Sequence, residues 1–223
     1  MHQRKSKKIL IYFFLLIIFG SVNNINLNQI KLYQVKNINI SGLNYLDNQN
    51  LIQELKNLNL ESIFLINSDK IIKIIESNSL VEKYKIFKQY PSTLDIKIEK
   101  TNYLARINQN GKIFTIGSNG KLLENNFSTK ELPYIFGNPN ISDFLNFKKT
   151  IDDSKISYDK IKNLYFFKSH RWDLELKNNI LIKLSKDNTK ESLDNVFEFL
   201  NNVEFKNIKV FDARIENQII VYD

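Results

Sequence analysis

The chain has 223 residues, of which 43% are hydrophobic and 12% aromatic, which is enough for a buried core and one or two domains. The net charge of +8 would suit nucleic-acid binding, but basic residues alternate with acidic ones along the chain, so we expect no nucleic-acid partner. The absence of Cys excludes disulfides, thiolate metal sites and cysteine nucleophiles.

The first 27 residues predict a membrane anchor. Cationic side chains stand at the very start of the chain, namely Arg4, Lys5, Lys7 and Lys8. The uncharged run Ile9–Phe19 follows them, and cations beside an apolar helix stay on the cytoplasmic side. Because a bilayer span needs about 20 residues, we expect a transmembrane helix over residues 9–27 after a cytoplasmic tail over residues 1–8.

Two other interpretations of this segment remain open. An apolar run of this length also suits a cleaved signal peptide, with the small residues Gly20 and Ser21 behind it. Ile18, however, is large where a cleavage site requires a small residue. The third interpretation is a buried core helix, but a charge-free run beside a basic tip is unusual in soluble proteins. Both the anchor and the signal peptide would export the rest of the chain.

Residues 32–100 predict a small α+β domain. Alternating apolar residues over 35–40 indicate a strand, which ends in the turn Ser41-Gly42. Two helices with apolar residues at helical spacing follow this turn. The expected N-caps are Asp47 for the first helix and Ser68 or Asp69 for the second.

Two further strands complete this domain. We expect the first over Val81–Lys88 and the second over Thr93–Lys100, where Leu94, Ile96 and Ile98 alternate with charged residues. One face of the sheet would pack against the helices while the other faces water. The order is β-α-α-β-β.

Three phrases in this region resemble those of a known family. They are Val-x-x-Ile-x-Ile-x-Gly over residues 35–42, the helix pair, and Tyr-Pro-Ser-Thr-Leu-x-Ile-x-Ile-Glu-Lys over residues 90–100. Together they resemble the POTRA domain of the cell-division family FtsQ, also called DivIB. That family usually continues Glu-Arg-x-Pro, and this chain has Lys100 and Asn102 at the Arg and Pro positions.

Residues 101–223 predict a second, β-rich domain with an antiparallel sheet and flanking helices. Asn110-Gly111 and Asn119-Gly120 are typical of hairpin turns. Helices are expected around Phe144–Ile151 and over Thr189–Asn201. The expected strands are Leu104–Ile107, Lys112–Ile116, Leu122-Leu123, Ile161–Phe167, Trp172–Leu176, Ile180–Leu184, Ile208–Ile215 and Gln218–Tyr222.

The same resemblance continues through this second domain. Residues 132–137 resemble the family's Leu-Pro-x-x-x-Gly phrase, and residues 171–184 resemble its most recognisable string. Asn179 stands where the family usually has Gly in a turn, so we expect Asn179 to adopt the left-handed conformation. Asp212-Ala213-Arg214 matches the family's Asp-x-Arg near the C-terminus. The resemblance thus covers nearly the whole chain in order.

Residues that often carry chemistry have simpler explanations here. Trp172 is expected to fill the core, because it lies in an alternating strand. His170 is expected in a solvated loop, since the chain has only one other His and no Cys for a metal site. Asp152 and Asp153 are adjacent, so their carboxylates point apart and suit a helix end. We therefore expect no catalytic residue, no cofactor and no metal, and an enzyme such as an envelope hydrolase is disfavoured.

The C-terminal strand is the predicted binding site. If it lies at a sheet edge, its free N–H and C=O groups can accept a strand from another chain. The resemblance implies the same use, because in the FtsQ family the last strands capture FtsB and the Arg of Asp-x-Arg pairs with it. FtsB- and FtsL-like proteins are the implied partners. The implied binding residues are Arg214, Ile215, Gln218, Ile219, Ile220, Val221 and Tyr222.

The sequence thus predicts a non-enzymatic division protein resembling FtsQ, with no small-molecule substrate. The resemblance implies a single-pass protein of the inner membrane, with a cytoplasmic N-terminus and a periplasmic bulk, that links division proteins at the septum. The alternative is another POTRA-bearing envelope protein that binds polypeptides during transport or assembly. About 120 residues follow the first domain, and we expect the large transmembrane barrel of such transporters to need more.

We expect the N-terminal segment to be retained in the mature protein, because the basic tip and the uncharged run precede a poor cleavage site. Mass spectrometry of the intact protein checks this expectation. An unprocessed N-terminus would agree with it, whereas a new N-terminus between Gly20 and Asn28 would identify a cleaved signal peptide.

Overall fold

A computed structural model of the chain describes residues 3–22, 34–60, 63–64, 66–124, 131–201, 208–216 and 218–223. The helices in these ranges are α1 (Gln3–Val22), α2 (Tyr45–Lys56), α3 (Ser68–Ser77), α4 (Ile141–Asp152) and α5 (Thr189–Leu200). A three-stranded sheet contains β1 (Asn37–Ser41), β2 (Val81–Gln89) and β3 (Thr93–Lys100). A nine-stranded sheet contains β4 (Tyr103–Gln109), β5 (Lys112–Gly117), β6 (Leu122–Leu123), β7 (Tyr134–Phe136), β8 (Ile161–Phe166), β9 (Trp172–Leu176), β10 (Leu181–Leu184), β11 (Val210–Ala213) and β12 (Ile220–Tyr222).

The helix α1 contains the first part of the predicted anchor. Every side chain of the run Ile9–Phe19 is 42% to 73% exposed, so the run does not pack into the folded part of the chain. Residues 23–27 of the predicted span lie outside the described residues. Within the described ranges, no helix combines the length and the hydropathy that crossing a bilayer requires. The transmembrane span over residues 9–27 therefore stays a prediction.

The N-terminal unit, residues 34–100, has the predicted order β1-α2-α3-β2-β3. The central strand β3 pairs in parallel with β1 and antiparallel with β2. Both helices cover one face of this sheet, and the alternation of β3 sends its apolar side chains toward them. The buried core consists of Leu51, Leu55, Ile71, Ile75, Val81, Leu94, Ile96 and Ile98.

The N-caps of these two helices differ from the prediction. Asn44 caps α2, with its side chain accepting a hydrogen bond from the N–H of Asp47 at 2.9 Å. Asn67 caps α3 and accepts from the N–H groups of Asp69 at 3.0 Å and Lys70 at 3.4 Å. Asp47 and Asp69 lie instead in the first turns, where their charge favours the positive end of the helix dipole. Asn and Asp cap equally well, so the pattern alone did not separate them.

The C-terminal unit, residues 101–223, contains the nine-stranded sheet in the order β12-β11-β10-β9-β8-β7-β4-β5-β6. The prediction of an antiparallel sheet is wrong in part, because β4 and β7, β7 and β8, and β10 and β11 pair in parallel. The helices α4 and α5 lie between β7 and β8 and between β10 and β11, and such helical crossovers are how parallel neighbours are joined. The strand β7 was not predicted, because three residues are too few to show alternation.

One row of apolar side chains crosses seven strands of this sheet and faces α4 and α5. Strand register places its members side by side in the order Ile107, Ile135, Leu164, Leu174, Ile182, Phe211 and Val221. Trp172 lies on β9 and stacks on Phe147 of α4 with ring centroids 4.6 Å apart. The prediction that Trp172 fills the core is confirmed.

Side chains on the C-terminal unit bind backbone and side-chain atoms of the N-terminal unit at the junction between the two. The amide of Asn119 donates to the carbonyl oxygens of Ser79 and Val81, each at 2.9 Å. Ser118 donates to the Glu82 carboxylate at 2.7 Å. Because these bonds connect the β5–β6 turn to the start of β2, the two sheets are joined by side chains as well as by the chain itself.

We expect Ile96→Asp to lower the free energy of unfolding of the N-terminal unit by about 3 to 5 kcal/mol, because it places a carboxylate among buried apolar side chains. Ile96 is fully buried and lies opposite Ile40 on β1 and Ile86 on β2. Hydrogen exchange of the β3 amides in the full chain measures the effect. The neighbouring substitution Lys97→Asp, on the wet face, is the matched control and should change stability by less than about 1 kcal/mol. Equal effects would contradict the register of β3.

Candidate partner-binding edge

The strand β12 lies at one edge of the nine-stranded sheet. It pairs antiparallel with β11 on one side, and among the described residues no strand lies on its other side. It is shorter than the predicted Gln218–Tyr222, because the N–H of Gln218 donates to the carbonyl of Ile215 at 3.2 Å and closes a turn before the strand begins. The N–H and C=O groups along the outer side of β12 are therefore positioned to meet another strand.

The side chains near this edge divide between the core and solvent. Val221 lies opposite Phe211 and packs with Ile219 against the core of the C-terminal unit. Ile220 and Tyr222 point to the other face and are exposed, as is Ile215 in the preceding turn. Alternate side chains thus attach this edge of the sheet to the core, while the outer backbone of β12 stays accessible.

Arg214 is already paired within the chain. Its Nε and Nη2 donate to the two carboxylate oxygens of Asp212 at 2.8 and 2.6 Å, and its backbone N–H donates to Oδ1 at 3.3 Å. The side chain of Asp212 is 5% exposed and that of Arg214 is 45% exposed. The planar guanidinium therefore neutralises a buried carboxylate first, and a partner carboxylate would have to share the exposed part of Arg214 with Asp212.

A second pair of the same kind lies two strands away. Arg171 donates from Nε and Nη2 to Asp173 at 3.1 and 3.3 Å, and the N–H of Leu184 donates to the same carboxylate at 3.2 Å. Lys183 on the strand between lies directly opposite both Asp173 and Asp212. Sequence reasoning missed this row, although in each pair the Arg lies two residues from the Asp, just beyond the end of a strand, and in extended backbone this spacing puts both side chains on one face.

The pKa values of the two buried carboxylates are shifted in opposite directions. Burial raises the pKa of Asp173, although the hydrogen bonds from Arg171 and Leu184 oppose this effect. The hydrogen bond from Arg214 lowers the pKa of Asp212, and the same pair raises the pKa of Arg214. Asp212 is therefore a stably charged group beside β12.

This charged row connects directly to the edge strand. Lys183 Nζ lies 5.8 Å from the centroid of the Tyr222 ring, so the exposed face of β12 carries a cation beside an aromatic ring. Asp212 also lies opposite Ile220 in the ladder between β11 and β12. A strand arriving at the edge would meet Ile220 and Tyr222 on this face.

An aromatic cluster occupies the same open face further along the sheet. The rings of Phe136 and Tyr165 stack with centroids 5.1 Å apart, and Tyr134 lies 4.8 Å from Phe136. Burial raises the pKa of Tyr165 to about 12, helped by its hydrogen bond to Glu175 at 2.7 Å. Sequence reasoning did not find this cluster, because only the parallel register of β7 and β8 brings these residues together.

Several residues lie where the sequence predicts them. His170 is in an exposed turn, Asp152 ends α4 paired with Lys148 at 2.6 Å, and Asp153 is the C-cap. Asn179 has a φ of 63° and confirms the predicted left-handed turn. Within the described ranges, no group of three or more His, Asp and Glu side chains could hold a metal ion.

Most of the chain is similar to known proteins. Residues 33–100 match the family model "POTRA domain, FtsQ-type", and residues 98–214 match "Cell division protein FtsQ/DivIB, C-terminal".

Individual relatives carry the same names. The cell division protein FtsQ of Rickettsia bellii is 24% identical over 195 residues, which cover 85% of this chain and 72% of the relative. The cell division protein DivIB of Staphylococcus aureus is 26% identical over 127 residues, covering 56% of this chain and 27% of the relative. The solved extracytoplasmic domain of DivIB from Geobacillus stearothermophilus is 9% identical and covers 48% of this chain and 96% of that chain. The TM-score of this match is 0.34.

We expect Asp212→Asn to destabilise the protein at neutral pH and to lose this effect in acid. The folded-state pKa of Asp212 lies below its ordinary value of 3.8, so its charge stabilises the fold above pH 3.8. That stabilisation is lost as the pH falls through the folded-state pKa. Denaturation curves of the wild type and the variant should therefore converge below pH 3.8.

Asp173→Asn is the matched control with the opposite sign. Because the folded-state pKa of Asp173 is raised above 3.8, the wild type gains stability relative to this variant as the pH falls through the raised pKa toward 3.8. The same trend with pH in both variants would contradict the assigned pairings.

Proposed function

Because this chain belongs to the FtsQ/DivIB family of cell-division proteins, we propose that it is a non-enzymatic part of the division machinery that captures a partner strand along β12. The resemblance predicted from residues 35–42 and 90–100 is confirmed by the two family matches. The observation that carries the proposal is the position of β12, which ends the nine-stranded sheet with its outer backbone accessible.

Comparison with two other described sheet edges, β6 and β2, favours β12 as the binding strand. The opposite edge of the nine-stranded sheet is β6, which has only two residues. In the N-terminal unit the edge strand β2 carries exposed lysines, and charges on an edge hinder pairing. Residues 218–222, in contrast, contain neither charge nor Pro. Strand addition draws affinity from backbone hydrogen bonds, and β12 offers them in a segment without charge or Pro.

The partners we propose are FtsB- and FtsL-like proteins of the same organism, as the family implies. A strand of the FtsB-like protein would lie beside β12, with Ile220 and Tyr222 contacting its side chains on the open face. Arg214 would meet an acidic residue of the partner with the part of the guanidinium that Asp212 leaves exposed. Ile215, Gln218, Ile219 and Val221 would support the edge from the preceding turn and the core side.

We also propose that the protein is attached to the inner membrane through α1, with its N-terminus in the cytoplasm and both sheets in the periplasm. The support is the exposed apolar surface of Ile9–Phe19, which the folded part of the chain does not cover, together with the basic residues before it. The proposed place of action is the division septum, where the protein would link division proteins by contact alone.

Proline substitutions at two neighbouring positions test the binding edge. Successive N–H groups of a strand point to opposite edges. One of the two variants Ile220→Pro and Val221→Pro therefore removes an N–H group that faces β11, and the other removes an N–H group that faces outward. We expect the variant that loses the ladder donor to be destabilised. The other should keep its melting temperature and bind the FtsB-like protein about tenfold more weakly, because it loses a backbone bond and the close approach of a strand. Binding is measured with the immobilised full chain in detergent.

Ile220→Ala is the matched control for this experiment. It shortens an exposed side chain and keeps the backbone donor, so binding should fall by less than about threefold. If both proline variants stay folded and bind the partner like the wild type, the interface lies elsewhere.

A further inference from the structure

An exposed aromatic pair lies at one end of the N-terminal unit. Tyr90, in the turn between β2 and β3, stacks on Phe64, in the loop between α2 and α3, with ring centroids 4.8 Å apart. The two residues are 61% and 55% exposed. Phe87 is also exposed, and it lies on the outer face of β2 with Lys97 Nζ 5.6 Å from its ring. Three large rings thus face solvent around one turn.

This turn lies where the chain arrives from α1. The N–H groups of Lys36 and Asn37 donate to the carbonyl of Ser92 at 2.9 and 3.3 Å, and β1 begins opposite the start of β3. Only residues 23–33 separate α1 from the described start of the N-terminal unit. Because a fully extended chain rises at most about 3.6 Å per residue, Lys36 beside the turn lies within roughly 50 Å of the end of α1.

The same end carries unpaired positive charge. Lys36 and Lys56, the last residue of α2, line one surface depression, and Lys88 comes two residues before Tyr90. Among the described residues, no carboxylate pairs with any of these three lysines. The described acidic residues at this end are Glu54 in the last turn of α2, Asp69 beside Lys70 in the first turn of α3, and Asp95 opposite Phe87. With Lys70 and Lys97, five described lysines lie at this end beside these three acidic residues, so the balance of the described charges is basic.

Aromatic rings beside lysines match the chemistry of a membrane surface. Tyr is enriched at the level of lipid headgroups, where its ring is half buried and its hydroxyl stays wet. Each lysine near an anionic leaflet raises binding about fivefold. The opposite end of the unit offers a contrast, because Tyr45 at the start of α2 is 75% exposed but lies beside the end of β1, away from the arriving chain.

We propose that the basic aromatic tip, defined as Lys88–Ser92 with Lys36, Lys56 and Phe64, docks on the headgroups of anionic phospholipids. The inference rests on the proposed attachment of α1 to the membrane. Docking holds β1 and β3 at a defined orientation to the bilayer, since both strands start at the tip. The tip is then a second binding surface of the protein. It lies at the end of the N-terminal unit that is far from β4.

Fluorescence quenching in reconstituted vesicles tests this docking. The chain has no Cys, so Gln89→Cys gives a single site for an environment-sensitive label in the full chain. Vesicles of phosphatidylcholine, with or without phosphatidylglycerol, carry lipids spin-labelled at the headgroup as quenchers. We expect quenching at position 89 that depends on phosphatidylglycerol. Adding Lys88→Gln should lower the docked fraction relative to the undocked one about fivefold, and Tyr90→Ser should lower it further.

Tyr45→Ser is the matched control, because it removes a ring that is even more exposed at the other end and should leave the quenching unchanged. Melting temperatures of all variants show that they remain folded. Quenching that persists in the Lys88→Gln, Tyr90→Ser double variant, or that is equal without phosphatidylglycerol, would overturn the proposal, since attachment through α1 alone would then explain the quenching.

Carbonate extraction separates the attachment of α1 to the membrane from the docking of the tip. A chain released by carbonate overturns the attachment of α1 and the docking with it, whereas a retained chain with an unquenched tip overturns docking alone.

Discussion

The nine-stranded sheet depends on the burial of one apolar row beneath α4 and α5, and β12 depends on the last member of that row. A three-residue ladder contributes only a few hydrogen bonds, each with a net value of about 1 kcal/mol. Full burial of a Val or Ile side chain contributes about 1.5 to 3 kcal/mol, and Val221 and Ile219, which are partly buried against the core, contribute a fraction of that each. Side-chain packing therefore adds to the ladder in holding the edge strand in place. Its outer backbone is left accessible because none of that packing uses it.

Charged residues on the open face of the sheet stabilise the same strand pairings as the apolar row on the other face. Asp173 and Asp212 are buried, and a buried carboxylate is tolerated only when it is paired and hydrogen-bonded. Arg171 and Arg214 supply bidentate pairs, and Lys183 lies between the two acids. A slip of one residue in β10 would move Lys183 to the other face. The charged row therefore specifies the register of β9, β10 and β11 from the side that the apolar row does not reach.

Local patterns predicted those parts of the fold that depend on neighbouring residues. The alternation of Thr93–Lys100 predicted β3 with both of its bounds, and the turn type required a left-handed Asn179. The parallel pairings were missed because they depend on how helices return the chain, which periodicity does not show. The pairing of Arg214 with Asp212 was missed as well, since residue type alone suggested a contact with a partner. Partner contacts and the membrane span stay predictions, because they concern other molecules or a segment that extends beyond the described residues. The predicted domain boundaries stay predictions as well.

The short connection between the two sheets has a mechanical consequence. Only Thr101 and Asn102 separate β3 from β4, and the Asn119 amide and the Glu82 carboxylate bridge the same place. Such a connection has no slack. If a partner strand binds along β12 as proposed, a sideways force on it would be transmitted through the C-terminal unit to this connection. The hydrogen bonds around Asn119 would then carry part of that force.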